Sequence, residues 1–183
     1  MTTEEPAVKA RQGKVVSQSK TVMTEMIMPN DTNPMGNLMG GYLMRWMDIA
    51  CAICAARHCE SQVATASVDH ISFHEPIRLG DVITLSAQVT RAFTTSVEVF
   101  VEVTATDITG GNIRQSNHAY FTFVAIDHVT GKPQQAIPVL PVNIEEKKHY
   151  EVAIRRRELR LILAGKLKPE DASELKHFFK EFK

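Results

Sequence analysis

The run from Tyr42 to His58 constrains this chain more than any other stretch. It reads Tyr42-Leu43-Met44-Arg45-Trp46-Met47-Asp48-Ile49-Ala50-Cys51-Ala52-Ile53-Cys54-Ala55-Ala56-Arg57-His58. Alanine, leucine and methionine favour helix, and the run is too long for a strand. Its apolar residues occupy every face instead of one stripe, so the helix is expected to be buried on most sides. Something must wrap it.

The flanking segments supply the wrapping. Lys14 to Met28 is rich in β-formers and reads as a first strand, broken near Ser17-Gln18-Ser19. Residues 29–37, Pro29-Asn30-Asp31-Thr32-Asn33-Pro34-Met35-Gly36-Asn37, are dense in turn formers and predict a loop, after which Gly40-Gly41 leads into the helix. Four extended segments follow: Gln62–Phe73, Asp81–Ala92, Ser96–Asp107 and Ser116–Asp127. In the third, Val97, Val99, Val101 and Val103 face one way while Glu98 and Glu102 face the other. Their connections carry Pro76 and Gly80, then Thr94-Thr95, then Gly110-Gly111-Asn112. Such short links favour antiparallel neighbours. The expected fold is α+β, one antiparallel sheet curled around one long apolar helix.

The chain divides into a flexible N-terminus (1–13), this domain (14–130), a linker with Pro133, Pro138 and Pro141 (131–142), and a charged helical extension (143–183). Residues 143–168 hold eight basic and four acidic side chains, and Lys168-Pro169-Glu170-Asp171 opens a short last helix. With Glu145, Glu146, Glu151 and Glu158 interleaved among the bases, the extension reads as a solvated, salt-bridged helix packed on a neighbouring subunit.

Charge and cysteine content narrow the setting. Twenty-one basic residues balance twenty-one acidic ones, leaving no global field to gather nucleic acid. No apolar run is long enough to span a bilayer, since the best one contains Arg45 and Asp48. The acidic start Met1-Thr2-Thr3-Glu4-Glu5-Pro6 lacks the apolar run of a signal peptide, and three cysteines suit a reducing cytosol. A cytoplasmic location is expected.

Two constellations offer chemistry. Asp48 lies about two turns into a helix that is otherwise uncharged between Tyr42 and Ala56 except for Arg45. A buried carboxylate costs several kcal/mol unless paired. It is either a structural i,i+3 partner of Arg45 or a base or nucleophile held in a cleft. Gly40-Gly41 at a helix start lets backbone approach a ligand and leaves N–H groups to receive an oxyanion, with Asn37 as an added donor. Alternatively these three residues only build a turn. Asp48 stands roughly 10 Å along the helix axis from Gly41. If both constellations are catalytic, the site combines Asn37 of one chain with Asp48 of another, and an oligomer is expected.

The segments Met28-Pro29-Asn30-Asp31-Thr32-Asn33, Gly36-Asn37, Gly40-Gly41 and Met47-Asp48 resemble the hotdog acyl-CoA thioesterases, closest to the YciA-type and brain-type acyl-CoA hydrolases. Ala55-Ala56-Arg57-His58-Cys59, Val63-Ala64-Thr65-Ala66-Ser67-Val68-Asp69, the stretch from Phe73 to Asp81, and Phe121-Thr122-Phe123-Val124 extend the resemblance over roughly residues 20–130. It implies the hotdog fold and hydrolysis of acyl-CoA to fatty acid and CoA, with no metal or redox cofactor. It implies Asp48 as the catalytic carboxylate, Asn37 and Gly41 as its helpers, and a homodimer assembling further into a trimer of dimers. For CoA it implies contacts at Gly40 and along Arg91, Thr94, Thr95 and Ser96, with Phe73 and Pro76 walling the pantetheine channel.

Other signals are weaker. Cys51-x-x-Cys54 lies inside the apolar helix and reads as buried small residues. His70 and His74 lack a third metal ligand. Two alternative activities remain: a hotdog hydratase or dehydratase, disfavoured because no histidine precedes His58, and an acyl-CoA-binding regulator, which has no use for Asp48.

Overall fold

A computed structural model describes residues 12–73 and 75–180, except the side chains of His70, Ser72 and Phe73. Most of the expected flexible N-terminus therefore lies outside the described residues. The first strand breaks where its sequence breaks. β1 (Lys14–Val15) gives way to a 3₁₀ turn (Val16–Gln18), and β2 (Thr21–Met26) follows. Then come a 3₁₀ turn at Pro29–Asp31, α1 (Gly40–Cys59), β3 (Gln62–Phe73), β4 (Val82–Ala92), β5 (Ser96–Thr106), β6 (Arg114–Ile126) and β7 (Val139–Leu140). Two helices close the described chain, α2 (Ile144–Leu163) and α3 (Ser173–Lys180).

β2, β4, β5, β6 and β3 form one antiparallel sheet in that order, with β3 at one edge. This corrects one expectation from the short links. β3 and β4 are consecutive but not neighbours: β3 pairs with β6, and β4 pairs with β2 and β5. The connection between them runs past the loop before α1, where Leu38 N–H donates to the Ile77 carbonyl at 2.7 Å and Leu79 N–H to Gly36 at 2.9 Å. It thereby fixes the entry to the helix.

α1 lies on the inner face. Leu43, Trp46, Met47, Ala50, Cys51, Cys54, Ala55 and Cys59 pack against the inward valines of β5 and Phe121 and Phe123 of β6. The expected burial on most sides is not met within one chain, because a single sheet covers a single side. Gly41, Met44, Arg45, Ile53 and Arg57 stay exposed. At the far end His58 is buried, its Nε2 donating to the Ile137 carbonyl at 3.0 Å while Ser19 Oγ stands 3.3 Å from Nδ1. That bond ties down the proline segment, whose Ala136, Ile137 and Val139 are buried.

α2 is fastened to its own chain by ion pairs. It packs on the outer face of its own sheet, and two of its arginines, Arg156 and Arg160, turn inward. Arg156 makes a charge-assisted pair with Glu98 at 2.7 Å, and Arg160 pairs with Asp69 at 2.7 Å. Glu98, on the face opposite the valines as the alternation predicts, is fully buried and also accepts from Thr90 Oγ1 at 2.6 Å. Glu158 accepts the N–H groups of Glu174 and Leu175 and so caps α3. Among the described residues no helix is long and apolar enough to cross a membrane.

Candidate active site

Asp48 projects from the third turn of α1 at the rim of the buried face, where it is half-buried. Its partner is Thr65 of β3, whose hydroxyl donates to Oδ1 at 2.9 Å. A β-bulge aims that hydroxyl. The β3–β6 register shifts between Thr65 and Ser67, so Thr65 pairs with inward Phe123 while Ser67 pairs with outward Thr122. Arg45 is exposed, and it makes no ion pair with Asp48 among the described residues. The i,i+3 reading therefore fails, and the carboxylate has its second oxygen without a hydrogen-bond donor among the described residues, beside the open edge of β3.

The helix start forms a second cluster. Asn37, Gly40, Leu43, Pro76, Ile77 and Asn117 line much of a cavity of about 420 Å³. The N-cap residue Met39 makes no side-chain cap, and the N–H groups of Gly40 and Gly41 have no acceptor among the described residues. A Cβ built on Gly41 would meet nothing within 4 Å, so the space beside Gly41 is open. The loop that leads in is fixed by Asn33. Its Oδ1 accepts from Met35 N–H at 3.0 Å and Asn37 N–H at 3.2 Å, which leaves its amide NH₂ without an acceptor among the described residues.

The structure thus gathers Asn37, Gly40, Gly41 and Pro76 at one end of α1 and sets Asp48 about 10 Å further along its axis. Phe73 ends β3, with its side chain outside the described residues. The 91–96 hairpin stands apart. Ser96 pairs with Val124 of β6, which pairs with Ala64 of β3, so it lies two strands, roughly 10 Å, from the edge that holds Thr65. Arg91 donates to the Tyr150 carbonyl at 2.9 Å and stacks 4.1 Å over the Tyr150 ring, so its guanidinium anchors α2. The carbonyls of Thr94, Thr95 and Ser96 accept from Ala136, Ala125 and Phe93. Asn33 and Thr65 were not singled out from sequence. Each is an ordinary turn or strand residue there, and only the loop geometry and the bulge distinguish them.

Two of the cysteines carry a clear electrostatic signature. Burial pushes the Cys54 thiol up to about 12 and raises Cys51 well above the ordinary thiol range, which leaves both inert. Among the described residues no three His, Cys, Asp or Glu side chains cluster as metal ligands.

A family model for the thioesterase superfamily matches residues 35–111, from the loop before α1 to the turn after β5. Over 139 residues the chain is 38% identical to an acyl-CoA thioester hydrolase, YkhA, of Bacillus subtilis, covering 76% of this chain and 80% of that protein. The chain belongs to the hotdog acyl-CoA thioesterase family. It is also 36% identical to the cytosolic acyl coenzyme A thioester hydrolase of Mus musculus over 74% of its length, but spans only 36% of that longer protein. Among solved members, the acyl-CoA hydrolase of Staphylococcus aureus, in complex with butyryl-CoA and CoA, superposes with a TM-score of 0.77 at 36% identity, covering 83% of this chain and 94% of that one. Variants of that enzyme have also been solved. In them an aspartate, an asparagine fifteen positions before it, or a threonine seventeen positions after it is replaced by alanine. An acyl-CoA thioesterase solved as a hexamer aligns with a TM-score of 0.80 at 35% identity, over 84% of this chain and 97% of that one.

Proposed function

We propose that this chain hydrolyses acyl-CoA to a free acid and CoA, at sites completed between two copies of itself. One observation carries the reading: the carboxylate of Asp48, held by Thr65 and in no ion pair among the described residues, lies beside the unpaired edge of β3, about 10 Å along α1 from the N–H groups of its own Gly40 and Gly41. A carboxylate and an oxyanion site that far apart cannot serve one carbonyl carbon. A second copy against the β3 edge would bring a helix start to each Asp48.

In this proposal the thioester carbonyl accepts from Gly41 N–H at the positive end of α1. Asp48, oriented by the Thr65 hydroxyl, takes a proton from a water whose oxygen attacks the carbonyl carbon; the C–S bond then breaks and CoA leaves as its thiolate. Asn33 of the other copy holds the water through its amide NH₂, the donor that its own turn leaves unused. Spacing supports this choice over Asn37. Asn33 stands fifteen residues before Asp48, and Thr65 seventeen after it, the intervals of the three replaced positions in the S. aureus enzyme. Asn37, with Pro76, then lines the cavity that receives the substrate next to the reacting carbon. Neither metal nor redox cofactor enters the proposal.

The proposed assembly is a dimer as catalytic unit within a trimer of dimers, and the proposed location is the cytoplasm. Nothing favours the hydratase reading. The one histidine of α1, His58, is spent on the Ile137 carbonyl. Free-thiol release from a panel of acyl-CoAs, with the acid product weighed by mass spectrometry, tests the activity. Stoichiometric thiol and acid are expected. Hydration of an enoyl-CoA without thiol release, or binding without turnover, would overturn it.

A further inference from the structure

The outer face beside β3 holds a groove of about 480 Å³ that the proposed chemistry leaves idle. Ser67, Asp69 and Tyr120 line its sheet side, and Leu159, Arg160 and Leu163 its helix side. Leu159 and Leu163 are one turn apart on α2, so they share a face. They are 49% and 80% exposed, although a charged helix has abundant polar residues for such positions. The helix that carries them does not swing freely. The Arg160–Asp69 pair ties it to β3 and the Arg156–Glu98 pair ties it to β5, holding both leucines at the sheet's open edge.

We infer that Leu159 and Leu163 form a clasp that closes on a second copy of this chain. Three observations select that occupant. The groove is continuous with β3, twelve residues long, whose outer edge pairs with no strand among the described residues. An exposed edge of that length calls for a covering strand. A two-fold axis along such an edge brings each groove to the other copy's edge, and an isologous contact requires a surface complementary to itself. This groove meets the requirement: its Arg160–Asp69 pair is satisfied within the chain, and the two bare leucines beside it give each copy an apolar surface that matches itself. Its paired charges give it no net field to capture a free anion. The inference rests on the two-copy site proposed above and adds the C-terminal extension to that interface.

The test compares wild type with Leu159→Glu/Leu163→Glu by sedimentation velocity over a concentration series, with circular dichroism as the fold control. The double variant is expected to raise the dimer dissociation constant at least about tenfold. Its thioesterase activity should fall on dilution and return on concentration. Should the glutamates prevent folding, Leu159→Ser/Leu163→Ser replaces them, with a smaller shift in the same direction. A folded variant with an unchanged dissociation constant overturns the clasp while leaving the two-copy site standing. A wild-type chain that is monomeric at every concentration sinks both. A fatty acid seen by native mass spectrometry on the wild type and lost from the variant would also overturn the clasp, by assigning the groove a different occupant.

Discussion

α1 and α2 are twenty residues each and cover opposite faces of one sheet, by different physics. α1 holds by apolar contact: nine of its residues are buried, and all but His58 of them belong to the hydrophobic core. α2 buries only Ala153 and Glu158 and holds by directed bonds, Arg156 to Glu98, Arg160 to Asp69, and Arg91 to its backbone. Apolar packing is non-directional, so the inner helix can carry an unpaired carboxylate at its rim without losing its seat. The outer helix has no such latitude, because Arg156 and Arg160, which fasten it to the sheet, are committed to their carboxylates. The inner helix can therefore host chemistry while the outer one fastens.

Three changes break or sharpen that contrast, taken from the largest effect downward. Asp48→Asn should lower kcat by about a thousandfold, the scale of a lost general base, with the thermal midpoint almost unmoved. A variant that keeps its rate, or one that unfolds, would make Asp48 structural and erase the distinction between the helices.

Glu98→Ala should cost about 3 kcal/mol, the lower end for breaking a buried pair, since Arg156 retains some exposure. Glu102→Ala, on the same strand face but bonded only to Gln115 at the surface, should change stability by no more than about 0.5 kcal/mol. Equal losses at the two positions would mean that α2 is not fastened by its ion pair.

The smallest effect is in pH. Burial lowers the His58 pKa, and burial together with Arg156 lowers that of His149, so the folded chain keeps both rings neutral where the unfolded chain takes up protons. Stability should therefore be full above the unfolded value near 6.5 and decline as pH falls below it. Denaturant midpoints between pH 7.5 and 5 read this slope, and His58→Gln should flatten part of it. A slope unchanged by that substitution would remove His58 from the account.

Much of this architecture was legible in the sequence because periodicity records which side of an element meets the core. The Tyr42–His58 run and the valines of β5 gave the helix and the strands to within a few residues. Long-range pairing was not legible. Nothing in Gln62–Phe73 says that it skips its successor and joins β6, since that depends on where the 75–81 connection crosses. Alternation puts Glu98 opposite the valines but cannot foresee that a helix arriving from 58 residues away buries it. For the site, Asp48 stood out as a charge among apolar neighbours. Thr65 did not, because its aim comes from a bulge, and Asn33 did not, because its amide is oriented by the turn that it caps.

The central claim is that each site takes Asp48 from one chain and Asn33 from its neighbour, and subunit mixing tests it directly. Asp48→Ala and Asn33→Ala, each inactive alone, should regain activity when co-assembled, because a mixed dimer rebuilds one intact site. Random pairing should restore about a quarter of the wild-type rate. If the two residues serve one site within a single chain, the mixture stays as inactive as its parents, and the composite site is wrong.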